Sequence, residues 1–339
     1  MPGRPKTDKL DAVWLAKLNE RGMLRPSFVP PREIRQLRDY TRLRSELTEE
    51  RSRHKQRIEK LLEDSLIKLS TVATDIFGKS GRAMLEALIA GERDPDALAE
   101  LVLGKTRPKR TALKEALTGR FDAHHAELIR MLLEQIDGLS AKIDQLTARV
   151  DQLVGQLPEA QTSSEGGAGL SVLDRLDEVP GIGPRAAQVI IAEIGLDMAQ
   201  FPTAAHLVSW AKLSPRTIQS GPRSHSGRVG KGNPYLKGVL GEFAFAAART
   251  DTFLGQRYRR LLRRRGRQSA LVAIARSMLV VIWHLIADPS ARVNGHLFIP
   301  GYGHVNSSRA ASFLVRARPR FLLARGHGFS RHYCDLSQW

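Results

Sequence analysis

Between residues 129 and 157 apolar side chains recur with unbroken four-three spacing. Ile129, Ile136, Ile143, Val150 and Leu157 form one row, and Leu132, Leu139, Leu146 and Leu153 form a second. A 3.5-residue repeat suits an α-helix and not a strand, so this segment must be a rod of about eight turns. Branched residues at four of the five a positions, with leucine at every d position, suit a parallel two-stranded coiled coil. The same stripe suits one arm of an intramolecular helical hairpin, and the residues leave both open.

The flanking segments extend this helical reading. Residues 7–20 have Thr7 as N-cap, with Leu10, Val13, Trp14 and Leu18 at helical spacing, and the run RPSFVPP (25–31) stops them. Beyond Pro31 a basic stretch punctuated by Ile34, Leu37, Leu47, Ile58, Leu61 and Leu62 predicts a long helix with many exposed arginines. Shorter helices are expected near 81–90, 95–103 and 112–117. Residues 162–170 have linker composition. Residues 171–288 are again mainly helical, interrupted by a polar stretch from Ser214 to Asn233, and the tail 289–339 has no sustained period and no assignable fold. The expected class is mainly α.

A chain of 339 residues has room for two or three domains. Lys and Arg number 53 against 35 Asp and Glu, a formal net charge of +18, so a large polyanion is the expected partner. The single cysteine, Cys334, excludes an intramolecular disulfide and a multi-cysteine zinc site, and fits a reducing, cytoplasmic setting. The first twenty residues lack the apolar core of a signal peptide. The most apolar run, Ala270–Ala287, carries Arg276, Ser277 and His284, and is expected to be a buried core helix and not a membrane span.

Several segments carry chemistry. LDEVPGIGPRAAQVIIAEIG (176–195) has the form of a helix-hairpin-helix, in which Gly181 and Gly183 let the backbone approach closely, Pro184 opens the second helix, and Arg185 lies in its first turn. It grips a nucleic-acid backbone or simply makes a tight helical corner. The stretch 214–238 sets Arg216, Arg223, Arg228 and Lys231 around Ser220, Ser224 and Ser226, with Gly221, Gly227, Gly230 and Gly232 between them. Hydroxyls, cations and an open backbone are what attack on a phosphodiester needs, though such a loop equally serves as a plain phosphate-binding loop. Asp8 and Asp11 lie three apart on one helical face, a pair that can hold Mg²⁺ or simply favour a helix N-terminus. Eight arginines fall within residues 249–267, a density that favours phosphate contact.

Taken together, KTDKLDAVWLAKL, RPSFVPPREIRQLRDYTRLR, VPGIGPRAAQVIIAEIG and LVSWAKLSPRTIQSG followed by GRVGKGNPYLK resemble the DEDD-type insertion-sequence transposases, also called bridge-RNA-guided recombinases. The likeness is collinear from about residue 3 to residue 288. It implies an N-terminal RuvC-like domain of RNase H fold bearing four acidic residues, a helical coiled-coil region, and a C-terminal domain with a serine nucleophile. Such proteins cut and rejoin donor and target DNA as dimers or tetramers, with Mg²⁺ and a structured non-coding RNA. On this likeness Asp8 and Asp11 match the last two acids, so residues 1–31 correspond to the end of the RuvC-like domain. Ser220 matches the nucleophile, and Gly181, Gly183, Arg185, Arg216, Arg223, Arg228 and Lys231 are the expected DNA contacts. With the first two acids outside the chain, a shortened copy with little activity of its own is expected. The alternative is a non-catalytic, oligomeric nucleic-acid-binding protein.

Overall fold

A computed structural model describes residues 7–24, 28–157, 170–215, 217–221, 223–227 and 229–293, with backbone alone at 105, 106, 217, 220 and 223–226. The described chain is mainly helical. In order it forms α1 (Asp8–Glu20), α2 (Arg32–Asp64), α3 (Leu69–Val72), α4 (Lys79–Ala90), α5 (Pro95–Glu100), α6 (Arg110–Leu117) and α7 (Ala123–Gly155). There follow α8 (Val172–Asp177), α9 (Pro184–Ile194), α10 (Ala204–Trp210), β1 (Thr217–Ser220), β2 (Arg223–Ser226), α11 (Pro234–Ala248) and α12 (Phe253–Ala287). The linker 162–170, apart from Leu170, and the tail from 294 onward lie outside the described residues.

The frame is an antiparallel hairpin of α2 and α7, each 33 residues and so about 50 Å long. Its two ends enter different cores. At the distal end Ile58 and Leu62 of α2 meet Ile129, Leu133 and Ile136 of α7, together with Met84, Leu88, Leu98 and Leu113 from α4 to α6. At the proximal end Ile34 and Leu37 meet Val150 and Val154 within a larger core built by α8 to α12. The apolar residues of 32–161 are therefore divided between two cores.

The heptad segment resolves in favour of the intramolecular arm. Ile129, Ile136, Ile143 and Val150 are at most 5% exposed, and helix α7 lies along α2 of the same chain. The covered stripe also takes in the e positions of the same repeat, Leu133 and Val154 buried and Ser140 and Thr147 half-buried, and Leu139 is buried while Leu132, Leu146 and Leu153 are half-buried on its flank. A stripe three positions wide is how a helix packs onto a globular neighbour, whereas a two-stranded coiled coil uses the narrower a/d seam. Serine and threonine at two of the e positions masked this width in the sequence. The reading of 129–157 as an intermolecular seam is corrected accordingly, because the a row is already covered.

At the proximal end α12 supplies the core. Ile274, Met278, Ile282 and Leu285 have no exposed surface, so the most apolar run of the chain is consumed inside the fold. The arginine-rich residues before it are not a separate element. They continue the same helix up to a break at Gly266, whose φ of 77° and ψ of 170° are not helical. Buried Arg175 closes the far end of α12 by donating to the carbonyls of Leu285 and Asp288 at 2.7 and 2.8 Å.

Helix α1 stands apart. Thr7 caps it as expected, its Oγ1 accepting from the Leu10 amide at 3.4 Å, yet none of its residues is buried. Phe28, just beyond, belongs to the proximal core and stacks edge-on against Phe201 and Trp210, at 5.4 and 6.0 Å.

Candidate nucleic-acid interface

The polar stretch 214–233 contains a two-stranded antiparallel hairpin in which Thr217 pairs with Ser226, Gln219 with Ser224 and Ser220 with Arg223. Gly221 turns it at φ +57°, a conformation that other residues adopt only with strain. Ser220 is the last residue of β1, and Ser224 and Ser226 lie on β2. Arg216 and Arg228 lie outside the described residues, and of Ser220 and Arg223 only the backbone is described.

The base of this hairpin is held tightly. Gly232, at φ +57°, passes so close to the Ala211 carbonyl that a Cβ there would sit 2.6 Å from the oxygen. Gly230 packs on the Lys212 side chain, and Lys212 itself has φ +56°, which stores strain in a non-glycine residue. Buried Lys237 donates to the Gly230 carbonyl, and burial holds its pKa below the usual lysine value. Lys231 between them is exposed.

The strongest fastening lies one residue further on. Asn233 caps α11 by accepting from the Leu236 amide at 3.2 Å, and its Nδ2 donates to Glu193 Oε2 at 2.5 Å. Glu193, on α9, has no exposed surface. Arg42 of α2 grips its carboxylate through Nε and Nη2, at 2.8 and 2.9 Å. Arg38 donates to the carbonyls of Ala192 and Glu193 at 2.9 and 2.8 Å, satisfying the end of α9. The hydrogen bond to Glu193 lifts the Arg42 pKa above its ordinary value, whereas burial depresses that of Arg38. Arg42 also lies over the Tyr235 ring at 4.7 Å, and Tyr235 donates to Glu46 at 2.5 Å, which raises the phenol pKa. Beside this clamp, buried Arg44 donates to Gln188 at 2.9 Å, and Gln188 donates to Asp151 of α7 at 2.5 Å. Burial lowers the Arg44 pKa. Sequence reasoning missed the clamp. Its one local signal is a lone carboxylate within the apolar run QVIIAEIG.

The helix-hairpin-helix form is present as α8 and α9 joined through Gly181 and Gly183. The two glycines have different surroundings. Gly181 has φ +96° and abuts α11, where a Cβ would sit 3.3 Å from the Phe243 carbonyl, so helix packing alone explains it. Gly183 opens α9 without a side-chain cap and has free space around it, and Arg185 is exposed on the first turn. Farther along the same end, Arg259, Arg260, Arg263, Arg264, Arg265 and Arg267 of α12 are all exposed, and exposed Phe245 lies under both Arg249 and Arg267, at 5.0 and 5.6 Å.

Asp8 and Asp11 sit on the first turn of α1, exposed. Among the described residues no three His, Cys, Asp or Glu side chains gather where they could hold a metal ion. A divalent cation needs more oxygen ligands than this pair provides, so the described residues do not by themselves fit Mg²⁺. Asp8 and Asp11 thus stand as an exposed pair of carboxylates.

Two family models match the sequence. One, described as the IS116/IS110/IS902 family transposase, covers residues 173–260, which hold nearly all of α8, then α9 to α11, the hairpin, and Glu193 and Asn233. The other, a DEDD transposase model of the IS110 group, covers residues 1–67. An uncharacterized 43.6 kDa protein of insertion element IS110 from Streptomyces coelicolor is 36% identical over 115 residues, 33% of this chain and 28% of the relative. A putative transposase, y4rJ, from Sinorhizobium fredii is 31% identical over 300 residues, 84% of this chain and 67% of the relative. With a likeness that extends across most of the sequence and two family models matching residues 1–67 and 173–260, the chain belongs to the IS110-type insertion-sequence transposases.

Proposed function

We propose that the chain cuts and rejoins DNA through Ser220, at the turn of the β1–β2 hairpin. The observation that carries this reading is the way a serine- and arginine-rich hairpin is fixed at its base while Gly221 at its turn has open space around it: a Cβ there would meet nothing within 4 Å. In the step itself the Ser220 hydroxyl attacks a backbone phosphorus, the bond from serine oxygen to phosphorus forms, and the bond to one sugar oxygen breaks. The hydroxyl proton leaves to solvent or a nearby base, and the departing sugar oxygen takes up a proton. Arg216, Arg223, Arg228 and Lys231 are the cations for the developing charge on phosphorus. Arg185 and the exposed arginines of α12 hold the backbone without reading bases.

The reading extends to a structured RNA that directs the reaction, to self-association and to action in the cytoplasm. Self-association would use surfaces other than the a row of α7, which is covered. The alternative of a non-catalytic nucleic-acid-binding protein has one observation in its favour, the lack of a third ligating group beside Asp8 and Asp11 among the described residues.

The test is to incubate the full chain with radiolabelled donor and target DNA, the cognate RNA and magnesium, then look for labelled protein on a denaturing gel. A covalent adduct is expected when a relative's RuvC-like domain supplies the first two acids, and Ser220→Ala should abolish it. An adduct undiminished in Ser220→Ala would overturn the assignment and move attention to Ser224 and Ser226. DNA retention without any adduct would favour the non-catalytic reading.

A further inference from the structure

We propose that Glu193 is a positioning residue for the β1–β2 hairpin, holding it in register with α2 through Asn233. This inference rests on the reading of Ser220 as the reacting group, since it explains how that group is held. Three observations carry it. First, the extensive contacts of β1 and β2 are with each other, so the hairpin takes its direction chiefly from its base. Second, the two chain segments leaving that base differ. The incoming one passes Lys212 and Leu213 at the end of α10, and the outgoing one is bound by Lys237 at Gly230 and by Glu193 at Asn233. Third, Glu193 is the meeting point of three elements: its carboxylate takes Nε and Nη2 of Arg42 on α2, its own backbone lies in α9, and Asn233 begins α11.

A buried carboxylate with two arginines and an asparagine around it is a costly way to make a core, because each charge must be desolvated. An apolar contact would hold α2 against α9 equally well. What the carboxylate adds is direction: a bidentate guanidinium fixes its plane, and the Asn233 amide must then meet the remaining lone pair from one side. Asn233 is already committed through its Oδ1 to the start of α11, so its backbone has little freedom, and the glycines 230 and 232 just before it are pinned against Lys212 and Ala211. A shift of α2 along its axis would therefore reach the hairpin.

The experiment compares the full wild-type chain with Asn233→Asp and Glu193→Gln. Asn233→Asp keeps the helix-capping oxygen and sets a second carboxylate against Glu193. Glu193→Gln keeps the shape and one acceptor and removes the charge. Hydrogen exchange is followed for amides 217–232 and, as an internal reference, for those of α2 and α9, alongside thermal unfolding and duplex-DNA binding. In Asn233→Asp, exchange in 217–232 should rise at least tenfold while α2 and α9 keep their protection, and DNA-dependent adduct formation should fall more than DNA affinity. Glu193→Gln should lie between this variant and the wild type. Unchanged exchange in 217–232, or a rise spread evenly over α2, α9 and the hairpin, would overturn the positioning role. Wild-type protein that forms no adduct while the exchange pattern appears as expected would count against the Ser220 reading and not against the clamp.

Discussion

The two ends of the α2–α7 hairpin are built on opposite principles. The distal core is mostly apolar: Ile58, Met84, Leu88, Leu98 and Ile129 have at most 1% of their surface exposed, its buried polar groups are Ser65 and His125, and Arg82 with Asp137 stays on the rim. The proximal end has a larger apolar core, yet it sets Arg38, Arg42, Arg44, Glu193, Gln188 and Asn233 where the same two helices meet the rest of the chain. Apolar contacts are tolerant of sliding and rotation, whereas hydrogen-bonded charge pairs accept one geometry. The distal end thus closes the hairpin, and the proximal end fixes where the β1–β2 hairpin points.

The comparison presumes that the α7 stripe is covered in cis, and the most drastic test attacks that premise. Ile136→Asp with Ile143→Asp places two carboxylates at positions that are at most 5% exposed. Burying them costs more than about 5 kcal/mol, so the chain should lose its cooperative unfolding transition and much of its helical circular dichroism. A folded variant of reduced mass in sedimentation would show instead that the row is an intermolecular seam.

Next in size is the contrast between the ends. Glu193→Ala leaves two guanidiniums without their carboxylate and should destabilise by about 3–5 kcal/mol, whereas Leu88→Ala at the distal end should cost about 3 kcal/mol through its cavity. Both are read by denaturant titration. The sharper expectation is that Leu88→Ala leaves nucleic-acid binding unaltered in conditions where both variants remain folded, while Glu193→Ala does not. Equal effects on binding would erase the distinction between the ends.

A smaller effect is expected at the helix-hairpin-helix. Gly181→Ala combines a φ of +96° with a contact to the Phe243 carbonyl, and should lower stability by about 1–2 kcal/mol with or without a nucleic-acid ligand. The smallest concerns pH. Burial holds the His284 pKa below 6.5, partly offset by Asp288, so the unfolded chain takes up its proton before the folded one does. Its contribution is complete above about pH 6.5 and declines as pH falls toward the depressed folded value. His284→Gln should flatten the pH dependence of stability between pH 7 and 5 by no more than about 1 kcal/mol, the ring being partly exposed. A steeper dependence in the variant would contradict the sign.

Much of the fold was legible in the sequence because helices announce themselves locally. Thr7 capped α1, Pro184 opened α9, and Ala270–Ala287 was read as core. The hairpin was not legible, since 217–226 carries no apolar alternation and the glycines in and around it read as open loop. Nor was the clamp. Arg38 and Arg42 looked like members of a solvated basic helix, and their partner lies about 150 residues away, a pairing that no periodicity encodes. The serine- and arginine-rich stretch around Ser220 was visible from its residue types, while what holds it in place was not.

The central claim is that nucleic acid engages the proximal end. Its most direct test is the salt dependence of duplex-DNA binding, measured by fluorescence anisotropy, for two triple variants of equal charge change. One carries glutamine at the exposed proximal Arg263, Arg264 and Arg267, the other at the exposed distal Lys68, Lys79 and Arg120. The proximal variant should bind at least tenfold more weakly and lose about one unit of log-log salt slope for each phosphate contact removed, while the distal variant matches wild type. Equal losses in both, or a loss confined to the distal variant, would contradict the account.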